Sequence, residues 1–138
     1  MIIEISKNIS KNTTFLKGNS YVIIGEIHVL SGVTLRIDPN VAVYIRNGEY
    51  PSSVLKKSVL IFDTGSSLSA ANAYFKACDS KNVPVGEADN GGIWFLGSSA
   101  NVEKDGISVS FSTNQSYFVA SKIFTYFLGS KDLVVREY

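Results

Sequence analysis

Cysteine and histidine are almost missing from this chain of 138 residues: Cys78 and His28 are the only one of each. A lone cysteine forms no intrachain disulfide, and it builds no Cys-based metal centre with a single imidazole. A basic surplus is missing too. Lys plus Arg number 13 against 12 for Asp plus Glu, a formal net charge of +1. With nothing to neutralise a phosphate backbone, nucleic acid is not an expected partner. The one adjacent basic pair, Lys56-Lys57, leaves a polybasic membrane patch unsupported. No apolar run approaches the ~20 residues of a membrane span. The opening Met-Ile-Ile-Glu-Ile-Ser-Lys-Asn places an acid where a signal peptide is basic, and no continuous apolar stretch follows. Synthesis in the cytoplasm, with incorporation into a particle such as a virion, is therefore the expectation. Also lacking is any convincing stretch of 3.6-residue periodicity, which excludes helical repeats and points to an all-β chain.

What is present is strand pattern. The chain is 45% hydrophobic and 18% charged, globular in composition and of single-domain length. From Gly32 to Ile45 the apolar residues fall in two alternating runs, Val33/Leu35/Ile37 and Val41/Val43/Ile45. Positions i, i+2 and i+4 are one face of a strand. Between the runs stands Asp38-Pro39-Asn40, where proline fixes φ and the flanking side chains bond to local backbone. Two strands meeting at a corner, rather than reversing in a hairpin, are expected.

The unit recurs. Gly65-Ser-Ser-Leu68-Ser-Ala70 repeats Gly32-Val-Thr-Leu35-Arg-Ile37 position for position, and Gly97-Ser-Ser-Ala100-Asn-Val102 is a weaker third copy. Ala73/Phe75/Ala77 answers Val41/Val43/Ile45, and Ile107/Val109/Phe111 follows the third copy. Gly32, Gly65, Gly97 and Gly129 are spaced by 33, 32 and 32 residues, the period of a repeat architecture. With about three short strands per period, the reading is a parallel β-solenoid of about three to four coils, each burying its inward residues by stacking on the next. The alternative is an antiparallel sandwich or jelly roll, which also uses many short strands. Residues 1–138 are expected to form one domain: a cap strand over 1–14, coils over 15–112, and apolar C-terminal strands over 113–138 that serve oligomerisation.

The run Gly18-x-x-Tyr21-x-Ile23-x-Gly25-x-Ile27-x-Val29-x-x-Gly32-Val-Thr-Leu35-Arg-Ile37-Asp-Pro39-Asn-Val41-x-Val43 resembles the opening coil of pectate-lyase-like right-handed parallel β-helix proteins. Asn90-Gly91-Gly92-Ile93-Trp94-Phe95 is similar to an element that follows a loop in the same family. The resemblance spans about residues 15–98 and implies a right-handed solenoid. Asn40 stands where the family usually has glycine, and Trp94 follows the Gly-Gly-Ile instead of preceding it. The family holds lyases, hydrolases, adhesins, tailspikes and structural surface proteins, so the fold alone does not assign a function.

Cleavage of polysaccharide on such a fold implies clustered carboxylates, on calcium or as an acid–base pair. The outward positions are read as Thr34, Arg36, Ala42, Tyr44, Arg46, Tyr74, Lys76, Cys78 and Trp94, with no acid among them. Glu87-Ala-Asp89-Asn90 is read as a solvated loop, since three side chains fall short of the six or more oxygens calcium needs. His28, between inward Ile27 and Val29, is expected on the surface, and Cys78 outward and inert. No catalytic residue, metal or cofactor is expected. The aromatics say more: Tyr44, Tyr74, Trp94, Phe124 and Tyr126, with Leu133 and Val135 of a tail apolar on both faces, are read as an interface. The expected function is a non-enzymatic assembly subunit that forms a homo-oligomer or joins other assembly proteins. A carbohydrate-binding or degenerate lyase-like surface protein, with glycan as partner, is the alternative.

Overall fold

The computed structural model describes residues 1–53, 56–70, 73–86, 89–95, 99–102, 107–110 and 135–137. Among them the regular structure is all strand: β1 (Ile2–Ile5), β2 (Thr13–Phe15), β3 (Ser20–Ile23), β4 (Glu26–Val29), β5 (Thr34–Ile37), β6 (Ala42–Arg46), β7 (Val59–Phe62), β8 (Ser67–Ala70), β9 (Ala73–Cys78), β10 (Pro84–Val85), β11 (Gly92–Phe95), β12 (Ser99–Val102), β13 (Ile107–Ser110) and β14 (Val135–Glu137).

Alternation decides which side of each strand is buried. Leu35 and Ile37 of β5 and Val43 and Ile45 of β6 are at most 1% exposed, while Thr34, Arg36 and Tyr44 point the other way. The strands form three sheets, ordered β1-β3-β6-β9-β13-β14, β4-β7-β11 and β2-β5-β8-β12. From β2 to β9 successive strands go to the three sheets in strict rotation, and β11, β12 and β13 continue it after the β10 excursion. Pairing between these strands is parallel, apart from β10, which lies antiparallel on Ala77 and Cys78 of β9. The antiparallel sandwich expected as the alternative is thus not the arrangement found.

Register follows the repeat. Leu35 pairs with Leu68, and Leu68 with Ala100; Ile37 pairs with Ala70, and Ala70 with Val102. Val43 pairs with Phe75 and Phe75 with Val109 in the same way. The three copies lie on one another residue for residue, so each apolar position continues a column in the register. Their inward members Phe15, Ile23, Ile27, Leu60, Phe62 and Ile93 are fully buried and form a single core with them. At roughly 1.5–3 kcal/mol for a fully buried large apolar side chain, these columns are the main favourable contribution to the fold.

The corners are also built alike. At Asp38-Pro39-Asn40-Val41, the Val41 N–H donates to the Asp38 carbonyl at 3.3 Å, and Asn40 takes φ 65°. Proline second and a left-handed third residue match a type II turn. Asn40 holds a left-handed conformation that glycine adopts freely; asparagine tolerates it better than most side chains. Residues 49–53 and 56–57 stand outside the sheets and are pinned together, where Glu49 bridges Lys57 and the Tyr50 N–H donates to the Lys56 carbonyl at 2.8 Å.

Candidate functional site

Strand β4 carries Glu26 and His28 two residues apart, so both leave its outward face while Ile27 and Val29 enter the core. Beside β4 runs β7, with His28 level with Ile61 and Val29 with Phe62. The next residue, Asp63, starts a corner: its N–H donates to the Val29 carbonyl at 3.0 Å, and its own carbonyl accepts from the Ser66 amide and hydroxyl. That backbone anchoring aims the Asp63 side chain at the imidazole. His28 Nδ1 lies 2.6 Å from Asp63 Oδ1, and Nε2 lies 2.7 Å from Glu26 Oε2.

Both contacts are hydrogen bonds only if both ring nitrogens carry a proton, since a carboxylate can only accept. Doubly protonated, the histidine is an imidazolium held between two anions, and its side chain is 23% exposed. Burial pushes its pKa down; the hydrogen bonds to Asp63 and Glu26 and their charges outweigh this, and the net shift is upward from 6.5. The two carboxylates sit at opposite edges of the ring and do not converge on one point where a cation could bind. Neither nitrogen keeps a lone pair for general-base chemistry in this state. The arrangement is a charged tie between two neighbouring strands.

The tie borders a cavity of about 360 Å³ lined by Ser6, Asn8, Glu26, His28, Tyr50 and Ser52 among others. Asn8 holds one rim by accepting the His28 backbone N–H at 2.9 Å. Tyr50 and Ser52 supply a further part of the lining. Tyr50 lies against Gly25, where a Cβ would come within 2.7 Å of the ring. The Gly25 N–H donates to the buried Ser58 hydroxyl at 2.8 Å.

Several expectations about outward residues need correcting. Acids do occupy outward positions: Glu4 meets Arg46 Nη2 at 2.9 Å, and Glu26 and Asp63 flank His28. His28 faces outward as expected but is mostly covered. Cys78 is not exposed at all; it is fully buried at the end of β9, where β10 pairs beside it in the same sheet. Desolvation raises its thiol pKa to about 11. In the 87–90 loop, Glu87 lies outside the described residues. Asp89 is bound to Lys57 Nζ at 2.6 Å, and Asn90 is buried, donating to the Ile45 carbonyl and accepting from the Gly92 amide.

The expected interface residues fall on different sheets. Tyr44 is half-buried on β6, level with Val22 and Lys76. Tyr74 lies on the adjacent β9, opposite Ala42. Trp94 is on β11 in another sheet, half-buried, its indole N–H donating to the Gly91 carbonyl at 2.9 Å. Val135 begins β14 and pairs with Ile107, while Phe124, Tyr126 and Leu133 lie outside the described residues.

The Glu26–His28–Asp63 group escaped the sequence reading, although a signal was there. Glu-x-His in a strand shares a face by alternation, and Asp63 stands 33 residues after Leu30, one repeat on. No helix among the described residues is long and apolar enough to cross a membrane. No protein-family model matches this chain, nor does any curated protein or solved structure.

Proposed function

We propose that the chain is a short right-handed parallel β-solenoid of the pectate-lyase-like kind, acting as a non-enzymatic assembly subunit that associates with further copies of itself. The rotation of strands among three sheets and the in-register copies at Gly32, Gly65 and Ser99 support the solenoid. Handedness rests on the resemblance in residues 15–98.

The observation that carries the assembly reading is where apolar surface is exposed. Of the four exposed large hydrophobic residues among those described, Met1 at 85%, Ile2 at 55% and Leu16 at 54% belong to the first layer. That layer holds β1 and β2, each terminal in its sheet. An open strand edge carrying apolar side chains invites pairing unless it is covered. Light scattering after size exclusion tests this. A multimer that Ile2→Lys with Leu16→Lys reduces to a monomer agrees with the proposal. A wild-type chain that stays monomeric at high concentration refutes it.

A second reading, a glycan-binding surface protein, is favoured by the cavity beside His28, whose walls offer hydroxyl, amide and carboxylate groups with one tyrosine ring. A monomer that captures defined glycans on an array would select it.

A further inference from the structure

Among the described residues, three charged clusters tie separate segments together on the outer surface: Arg46 with Glu4 and Asn82, Lys57 with Glu49 and Asp89, and His28 with Glu26 and Asp63. Only the third has a cation whose charge changes in the physiological range. We propose that the Glu26–His28–Asp63 tie is a pH-operated latch, which fastens β4 to the corner after β7 when His28 is protonated and lets the wall of the adjacent cavity open when it is not.

The chemistry follows from counting protons. A neutral imidazole has one N–H, so it can donate to Asp63 or to Glu26 but not to both. At the other nitrogen a lone pair then faces a carboxylate oxygen across 2.6 or 2.7 Å. Two acceptors at that separation repel, and one carboxylate must move away. Asp63 is the less able to do so. Its amide and carbonyl are bonded into the corner, and its Cβ is one bond from that fixed backbone. Glu26 has a longer side chain and borders the cavity. The latch thus opens on the Glu26 side.

Among the described residues, no other charge acts on the ring. Across β4, the neighbour from β7 is Ile61; from the other side comes the Asn8 amide, and the cavity wall is completed by Ser6, Tyr50 and Ser52. Glu26 on the same strand and Asp63 from the next corner are the charges that act on the ring. Because the folded histidine is shifted upward, its stabilising contribution is complete below 6.5, the ordinary value, and is lost as pH rises through the folded value. Alkali, not acid, opens the latch.

His28 is the only histidine, so the imidazole signal in an NMR pH titration belongs to it without further assignment. Wild-type protein should titrate above 6.5, and Glu26→Gln and Asp63→Asn should each lower that midpoint. Hydrogen exchange at the His28 amide, which donates to Asn8, should quicken through the same midpoint beyond its intrinsic base dependence, with no such step in His28→Gln. A wild-type midpoint at or below the ordinary value would overturn the latch, whether or not the variants fold. An exchange profile identical in wild type and His28→Gln would overturn it too.

Discussion

The amide of Gly32 donates to the carbonyl of Gly65 at 3.0 Å, and the two glycines hold nearly the same left-handed backbone, φ 81° and 85°. They are the third residues of matching turns, Leu30–Val33 and Asp63–Ser66, each closed by a hydrogen bond from the fourth N–H to the first carbonyl. One repeat therefore lies on the next at its corner as well as along its strands.

Alanine at these two sites should cost unequal amounts. Gly32→Ala meets open space but must keep a positive φ, while a Cβ at Gly65 would also come within 2.7 Å of the Ser31 hydroxyl. Left-handed alanine costs about 1–3 kcal/mol. Urea denaturation should place Gly32→Ala at the lower end of that range and Gly65→Ala higher. Adding Ser31→Ala to Gly65→Ala should recover the difference and leave the backbone cost.

The corner at Asn40 offers a milder contrast. Asn40→Ala should lower stability by roughly 1 kcal/mol, because alanine lacks the local hydrogen bonding that helps asparagine bear φ 65°. Asn40→Gly should change it by less than about 0.5 kcal/mol, relief of strain being offset by the greater freedom of glycine when unfolded. Equal losses in both variants would mean that backbone conformation is not what the position selects.

The columns were legible in the sequence because alternation and a near-constant period both survive in short apolar runs. Leu35, Leu68 and Ala100 could be aligned from Gly32, Gly65 and Gly97 alone. Corner chemistry at Asp38-Pro39-Asn40 was legible for the same local reason. The His28 site was not, because it needs a residue from the next repeat, and Asp63 follows a strand rather than standing within its alternation. Cys78 was misplaced because alternation tells which way a side chain points, not what lies over it. The burial of Cys78 coincides with an antiparallel strand, β10, that comes from the 79–86 excursion, outside the repeat.

Leu68 stands between Leu35 and Ala100 and is 1% exposed. Leu68→Ala should cost about 2–5 kcal/mol, transfer and cavity together, since β8 is held by paired strands on both sides. Thermal unfolding by circular dichroism measures this. Ser69→Ala, on the same strand but outward, should stay within about 0.5 kcal/mol of wild type.

Cys78 should resist modification. With the thiol buried and its pKa raised to about 11, hardly any thiolate exists at pH 8. A disulfide reagent should react with the native chain far more slowly than with the chain in denaturant. Equal rates would show that the thiol is not buried in the native chain.

Parallel, in-register stacking is the claim on which the rest depends, and NMR contacts between backbone protons of neighbouring strands test it most directly. The account predicts contacts joining Thr34 to Ser67 and Ser67 to Ser99, at the spacing of strands about 4.8 Å apart in a parallel ladder. Close Hα–Hα pairs of an antiparallel ladder along β5 and β8, with no contacts between residues one repeat apart, would contradict it.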